Sequence, residues 1–163
     1  MTDDQFLRRI QSTTGILFRL SFSILNNKED AEDAVAEVVS KMWERRHTLP
    51  VKTNVEGYMV TTTRNYCLDR IKLRKRRFVH LDAGFFGREM DAETHWVNSE
   101  NTREIQRIIA SLPEKQQLIL HLRMVESMSI ENIAIWMNEE KNTIEVNLFR
   151  ARKKIKEEYG RSK

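Results

Sequence analysis

The chain has 163 residues, enough for one ordinary domain or two small ones, and 40% of them are hydrophobic against 32% charged. Only 5 Gly and 2 Pro interrupt it, and no stretch sustains period-two alternation of β-branched residues, so a sheet is excluded and an all-α protein is expected. Net charge is only +4 but uneven: acids crowd residues 29–37 and bases crowd 70–77 and 150–156, a pattern that fits one anionic and one basic partner.

A first helix is predicted over 3–25, where Phe6, Ile10, Leu17, Leu20 and Ile24 recur at helical spacing and Phe18 and Phe22 add bulk. Asn26-Asn27 reads as a turn. The second helix has the cleanest periodicity. Ala31, Ala34, Val35, Val38, Val39, Met42 and Trp43 make a broad apolar face, and Asp30, Asp33, Glu37 and Glu44 an acidic stripe opposite it. Asp30 and Glu32 sit where the helix dipole favours negative charge. Asp33 and Glu37 lie beyond the first turn, so the stripe is either a solvated face or a docking surface. The segment His47 to Pro50 closes this helix, because the residue before proline leaves the α region.

The third helix is predicted over 54–77, with Asn54 as its cap. Val55, Met59, Thr62 and Tyr66 share one face, and Val60, Thr63, Cys67 and Ile71 widen it. Arg64, Asn65, Leu68, Asp69 and Lys72 are expected on the other side. The helix ends in Arg70, Lys72, Arg74, Lys75, Arg76 and Arg77, six cations in eight residues. A rod packed at one end and densely positive at the other holds a polyanion in a fixed place; the plainer alternative is a solvated basic helix end. Cys67, the single cysteine, excludes an internal disulfide, suggests a reducing compartment, and reads as a buried spectator on an apolar stripe. No run of about 18 apolar residues and no signal peptide occurs, so a cytoplasmic protein without membrane insertion is expected.

Around residues 78–99 the periodicity fails, and a flexible linker marks a domain boundary. Phe85, Phe86 and Trp96 are too apolar for a free tether and are expected to dock. Ile105, Ile108 and Ile109 then belong to a helix ending near Ala110. Ser111-Leu-Pro-Glu114 has the form of a capping box for the next helix, which carries Leu118, Leu120, Leu122 and Val125. Ser129 is expected to cap a short helix over 130–137 with Ile130, Ile133, Ala134 and Met137 inward, and Asn138 to take a left-handed turn. A last helix, starting near Asn142 or Thr143, carries Ile144, Leu148, Ala151 and Ile155. Two helices across a tight turn, the second rich in Arg150, Arg152, Lys153, Lys154 and Lys156, form a helix-turn-helix whose second helix enters the major groove. An ordinary helical hairpin is the alternative.

These stretches resemble a known family. Leu17 to Arg77, with Asn27-Lys-Glu-Asp-Ala-Glu-Asp-Ala-Val-Ala-Glu37, Trp43 and the run from Tyr58 through Arg64-Asn65 to Asp69-Arg70, resembles region two of bacterial RNA polymerase sigma factors. Leu112 to Lys156, with Leu112-Pro-Glu-Lys-Gln116 and Arg150-Ala-Arg-Lys-Lys154, resembles their region four. With no domain between the two, the chain resembles the extracytoplasmic-function (ECF) group. The resemblance implies a region-two domain over 1–78, a linker over 79–100 and a region-four domain over 101–163. It implies that the protein directs core RNA polymerase to promoters and opens them. Core contacts are then expected from Asp30, Asp33, Glu37 and Trp43, Asp33 and Glu37 matching the docking positions; Ala36 stands where the family often has Gln. Minus-ten contacts are expected from Lys52, Asn54, Arg64, Asn65, Arg70 and Lys72, since a melted strand needs cations for its phosphates and a pocket for an unstacked base.

Minus-thirty-five contacts are expected from Asn142, Thr143, Glu145, Val146, Asn147 and Arg150, with Lys153 and Lys154 on the backbone. Glu145-Val-Asn147 departs from the commoner Lys-Ser-Arg, and an altered promoter preference follows, because Glu accepts from cytosine N4 and Asn pairs with adenine. The linker, with Asp91 and Glu93, is expected to thread the polymerase cleft. Core polymerase, promoter DNA and an anti-sigma factor are the expected partners, with no small-molecule substrate. A stand-alone helix-turn-helix regulator would leave the acidic helix unused, and an adaptor that binds only protein would leave the basic blocks unused. His47, His80, His95 and His121 have no metal-ligand spacing and no nucleophile motif or phosphate loop occurs, so no enzyme, metal or cofactor is expected.

Overall fold

The computed structural model describes residues 1–50, 52–78 and 100–161. The described residues form seven helices: α1 (Asp3–Leu25), α2 (Lys28–Glu44), α3 (Val55–Phe78), α4 (Glu100–Ser111), α5 (Glu114–Met124), α6 (Ile130–Met137) and α7 (Lys141–Arg161). No strand occurs among them, so the all-α expectation holds. The linker reading, including Phe85, Phe86, Asp91, Glu93 and Trp96, lies outside the described residues. The chain divides into two compact units, Met1–Ala92 and Glu93–Lys163.

In the first unit α1 packs against both α2 and α3, and α2 against α3. Helix boundaries follow from local chemistry. Thr2 and Gln5 close a reciprocal capping box on α1. Asn26 stops the same helix in the left-handed region at φ 54°, and Asn27 caps α2 by accepting from the Asp30 N–H at 2.9 Å. The chain thus turns through two asparagines that serve adjacent helices. α2 ends at Glu44, earlier than Pro50 requires, and a bonded turn from Arg45 to Leu49 carries the chain on to the proline. Asn54 caps α3, its Oδ1 accepting from the Gly57 N–H at 2.7 Å.

Ile10 and Leu17 of α1, Ala34, Val38 and Met42 of α2, and Met59, Val60 and Cys67 of α3 are all buried. Burial raises the Cys67 thiol pKa, outweighing the nearby Ser21 hydroxyl and the Arg70 charge, so it stays protonated and packs as a small apolar group. Thr13 and Thr63, also buried, return their hydroxyls to the carbonyls of Arg9 and Met59. At the rim Arg9 grips Glu56 with two parallel bonds, of 2.8 and 2.5 Å, tying α1 to the start of α3. Burial pushes the Glu56 carboxyl up. The Arg9 hydrogen bond, the helix backbone and the Arg9 charge together outweigh it and leave the pKa below the ordinary value.

In the second unit α7 is the hub, packing against α4, α5 and α6, while α5 also meets α6. Ile144, Leu148 and Ala151 form its buried stripe, and Leu118, Ile119 and Leu122 of α5 and Ile133 of α6, the helices packed against it, are buried as well. Ser129 caps α6 through the Asn132 N–H, and Asn138 ends it at φ 52°. Two expectations fail here. Ser111 is the last residue of α4, and its hydroxyl donates back to the Ile108 carbonyl, so it does not cap α5. Pro113 stands at the cap position without a side-chain bond. Val125 is 55% exposed because α5 ends one residue before it.

Ser127 adopts φ 54°, a left-handed conformation that costs a side chain with a Cβ and costs glycine little. The variant Ser127→Gly is therefore expected to be more stable by about 0.5 kcal/mol after allowing for the greater freedom of unfolded glycine, read as a raised denaturation midpoint. Because the folded pKa of Glu56 is depressed, its contribution is complete above the unfolded carboxylate pKa and disappears as pH falls through the lower folded value. Glu56→Gln should cost about 0.5–1 kcal/mol at neutral pH, a figure reduced for the partial exposure of Arg9. That difference should vanish in strong acid; urea melts of both proteins across the acid range would check it.

Candidate nucleic-acid interface

Three charged faces result from this packing. On α2, Asp30, Asp33 and Glu37 follow the i, i+3, i+7 spacing of one side. Asp33 and Glu37 are exposed, and Glu37 pairs with Lys41 one turn on at 3.5 Å. Asp30 is different: its side chain keeps 17% of its exposure and pairs with Arg74 and Arg70 of α3. Trp43 does not join the stripe. It falls roughly 110° from the middle of the stripe around the helix, half-buried, with the Arg46 guanidinium 4.0 Å above its ring.

Along α3 the expected strand-facing residues separate. Asn65, Asp69 and Lys72 are exposed on one side, and Lys52 is exposed in the turn that precedes the helix. Asn54 is half-buried and occupied as a cap. Arg64 is only 8% exposed and so does not lie on the outer face where it was expected. It stands four residues after the buried Val60 and three before the buried Cys67, so helical spacing places it on the packed face beside them. Arg70 turns towards α2. Its Nη1 donates to the Tyr66 hydroxyl at 3.0 Å, and this bond with the nearby Asp30 and Asp33 charges raises its pKa, so it is cationic at any working pH.

In the second unit, residues 138–140 make the turn between α6 and α7. Asn138 and Glu139 bond back to α6 carbonyls, and Lys141 reaches Glu131 at 2.9 Å while Lys115 pairs with Glu139. These contacts set the angle of α7. With Ile144, Leu148 and Ala151 buried, the opposite side of α7 is outward, and Asn142, Glu145, Arg150 and Lys153 are exposed on it, with Val146 partly so. Thr143 and Asn147 lie on the flank, half-buried, and the Asn147 Nδ2 donates to the Thr143 carbonyl at 2.8 Å. Lys154 turns inward, its Nζ 3.4 Å from the Ser111 carbonyl at the end of α4. Phe149 was missed by sequence reasoning: it is 68% exposed among the outward polar residues. Its signal was an aromatic residue on the side of the helix opposite the Ile144–Leu148–Ala151 stripe.

The outward face of α7 is a row of polar and cationic side chains on a helix that follows a three-residue turn, a shape suited to a DNA groove. Among the described residues no cluster of His, Cys, Asp or Glu could hold a metal, and no helix is long and apolar enough to cross a membrane. The family model described as Sigma-70 region 2 matches residues 10–77, and that described as Sigma-70, region 4 matches residues 102–155. The chain belongs to the sigma-70 family of RNA polymerase sigma factors. As a sigma factor it directs core RNA polymerase to promoters and initiates transcription there.

The RNA polymerase sigma factor SigV of Bacillus subtilis (strain 168) is 25% identical over 136 residues, covering 83% of this chain and 80% of that one. The ECF RNA polymerase sigma factor SigW of the same strain is 21% identical over 154 residues, covering 87% and 82%. In solved structures the sigma factor RpoE from Bartonella quintana, crystallised with the anti-sigma factor NepR, matches with a TM-score of 0.62. It is 19% identical and covers 94% of this chain and 96% of that one, which shows a shared fold. Region 2 of the sigma factor is thus carried by α1–α3 and region 4 by α4–α7. Sigma factors are generally non-catalytic. A stand-alone operator-binding regulator is not favoured, because region 2 accounts for the N-terminal unit that such a protein would leave unused.

Proposed function

We propose that this sigma factor acts in the cytoplasm as an ECF-type initiation subunit without enzymatic activity of its own, and that its three charged faces divide the work. The exposed acids Asp33 and Glu37 on α2 dock core polymerase, with Trp43 supporting the helix from behind. The outer side of α3, with Asn65 and Lys72 and with Lys52 in the preceding turn, meets the opened minus-ten strand. Asn54 shapes that turn, Arg64 braces α3 from within, and Arg70 adds charge at the seam. The outward face of α7, with Asn142, Glu145, Val146 and Arg150, reads the minus-thirty-five element. Thr143 and Asn147 flank it, Phe149 adds apolar contact, Lys153 holds phosphate, and Lys154 steadies the helix against α4.

The domain limits 1–78 and 101–163, with the linker 79–100 between them, follow from the same reading. The observation that carries it is the match of both region models, in order, to two helical units, the first with an acidic face on α2 and a basic one on α3, the second with a polar and cationic face on α7. An anti-sigma factor is a further partner, by analogy with the RpoE–NepR pair.

Run-off transcription with bacterial core polymerase on a promoter library tests the whole reading: activity dependent on added protein and restricted to a subset of promoters is expected. The double variant Asp33→Asn, Glu37→Gln should weaken core binding by about tenfold, the scale of losing two exposed charges from an interface. Unchanged core affinity would remove α2 from the interface. Glu145→Ala should reorder promoter preference, by about 1–3 kcal/mol at the base it contacts. Lys153→Ala should weaken all promoters alike and flatten the salt dependence of DNA binding by about one unit. Identical uniform losses from the two variants would reject the assignment of reader and phosphate clamp.

A further inference from the structure

The cationic end of α3 is not one uniform block. Arg70 and Arg74 lie one turn apart and both reach Asp30 in the first turn of α2. The Arg74 Nη2 bonds the Asp30 Oδ2, and the Arg70 Nη2 stands 4.0 Å from the Oδ1. Asp30 keeps 17% of its side-chain exposure, so its carboxylate is poorly hydrated and held mainly by the two guanidinium groups. Arg70 is fastened again by the Tyr66 hydroxyl and stands 5.7 Å from the Tyr66 ring centre, as does Lys41. Lys72 and Lys75, by contrast, are exposed. Two of the charges that look available in the sequence are therefore already answered by a carboxylate from the neighbouring helix.

We propose that Asp30 is an internal competitor for nucleic-acid phosphate, a clasp that withholds Arg70 and Arg74 from DNA in the free chain. The chemistry is direct: a carboxylate between guanidinium groups occupies the place a phosphate oxygen would take. A phosphate approaching this end of α3 must displace or share Asp30, so Asp30 is a positioning residue that acts through the two arginines. It also shares its helical side with Asp33 and Glu37. A protein that docks there and draws Asp30 outward releases two arginines towards the strand. By linkage, DNA that takes those arginines makes Asp30 available to that protein. This coupling rests on the reading of α2 as the polymerase-docking helix; the clasp itself is measurable without polymerase.

The experiment uses the full chain and a short single-stranded oligonucleotide, with affinity measured by fluorescence anisotropy over a series of salt concentrations. Asp30→Asn is compared with Glu32→Gln, which makes the same change of charge at an exposed position on the same helix. Release of two arginines should steepen the log–log salt dependence by up to about 1.4, at about 0.7 per phosphate, and raise low-salt affinity by about tenfold. Glu32→Gln should do neither. Equal behaviour of the two variants, or weaker binding by Asp30→Asn, overturns the clasp.

Should Asp30→Asn fail to fold, as circular dichroism would reveal, Arg74→Gln and Lys75→Gln decide the matter in the otherwise unchanged chain. A clasped Arg74 should contribute less than half the salt dependence that Lys75 does, and equal losses overturn the proposal. A positive clasp result with no binding to core polymerase would sink the docking reading alone. Polymerase binding without the clasp signature would sink only this inference.

Discussion

Each charged face of the protein is aimed by burial of the apolar stripe on the same helix. A helix has one rotational freedom about its axis, and packing removes it. Once Ala34, Val38 and Met42 are in the core, Asp33 and Glu37 have to be outside. Once Ile144, Leu148 and Ala151 are inside, Glu145, Arg150 and Lys153 have to be presented together. A core residue contributes to recognition in this indirect way although it touches no partner. A loosened core would blur the surface before it abolished the fold, since α7, the helix we propose as the reader, is also the hub of its unit.

Charge counted in the sequence is not charge available at the surface. The basic block of α3 loses part of its field to Asp30, Lys154 is drawn to the end of α4, and Lys141 is paired with Glu131. What remains outward is a smaller and better-oriented set. For a protein that must find a promoter among a great excess of other DNA, lower non-specific attraction is useful, because that attraction rises with every unpaired cation and carries no sequence information. Family membership states that this chain is a sigma factor; the internal pairing of its charges bears on how restrained its own hold on DNA is.

Much of the local structure was legible from the residues. Helix spacing placed the seven described helices, and asparagine and serine chemistry placed the Asn26-Asn27 turn between two of them and Asn54, Ser129 and Asn138 at helix ends. Those are interactions within a few residues, which sequence order specifies. The apolar stripes that form both cores were equally visible, and the two sigma regions were recognisable from runs of residues that lie close together in the chain.

What the amino-acid order could not decide were choices between rival partners. Ser111 had the spacing of a cap and bonds backwards instead, because the hydroxyl can reach the Ile108 carbonyl inside the helix it ends. Arg64, expected on the outer side of α3, shares the packed face with Val60 and Cys67 and is covered when that face is buried. Asp30 belongs by spacing to an outward acidic stripe, but the crossing of α2 and α3 brings two arginines within its reach from 40 and 44 positions along the chain. Phe149 is apolar yet lies across the helix from the buried stripe, and the rotation that buries Leu148 exposes it. The helices, their caps and the family were thus settled by neighbours in sequence, where distance is set by the covalent chain. Which charges and which aromatic ring remain for a partner was settled by tertiary packing, because only that brings residues far apart in sequence to within an ion pair's length.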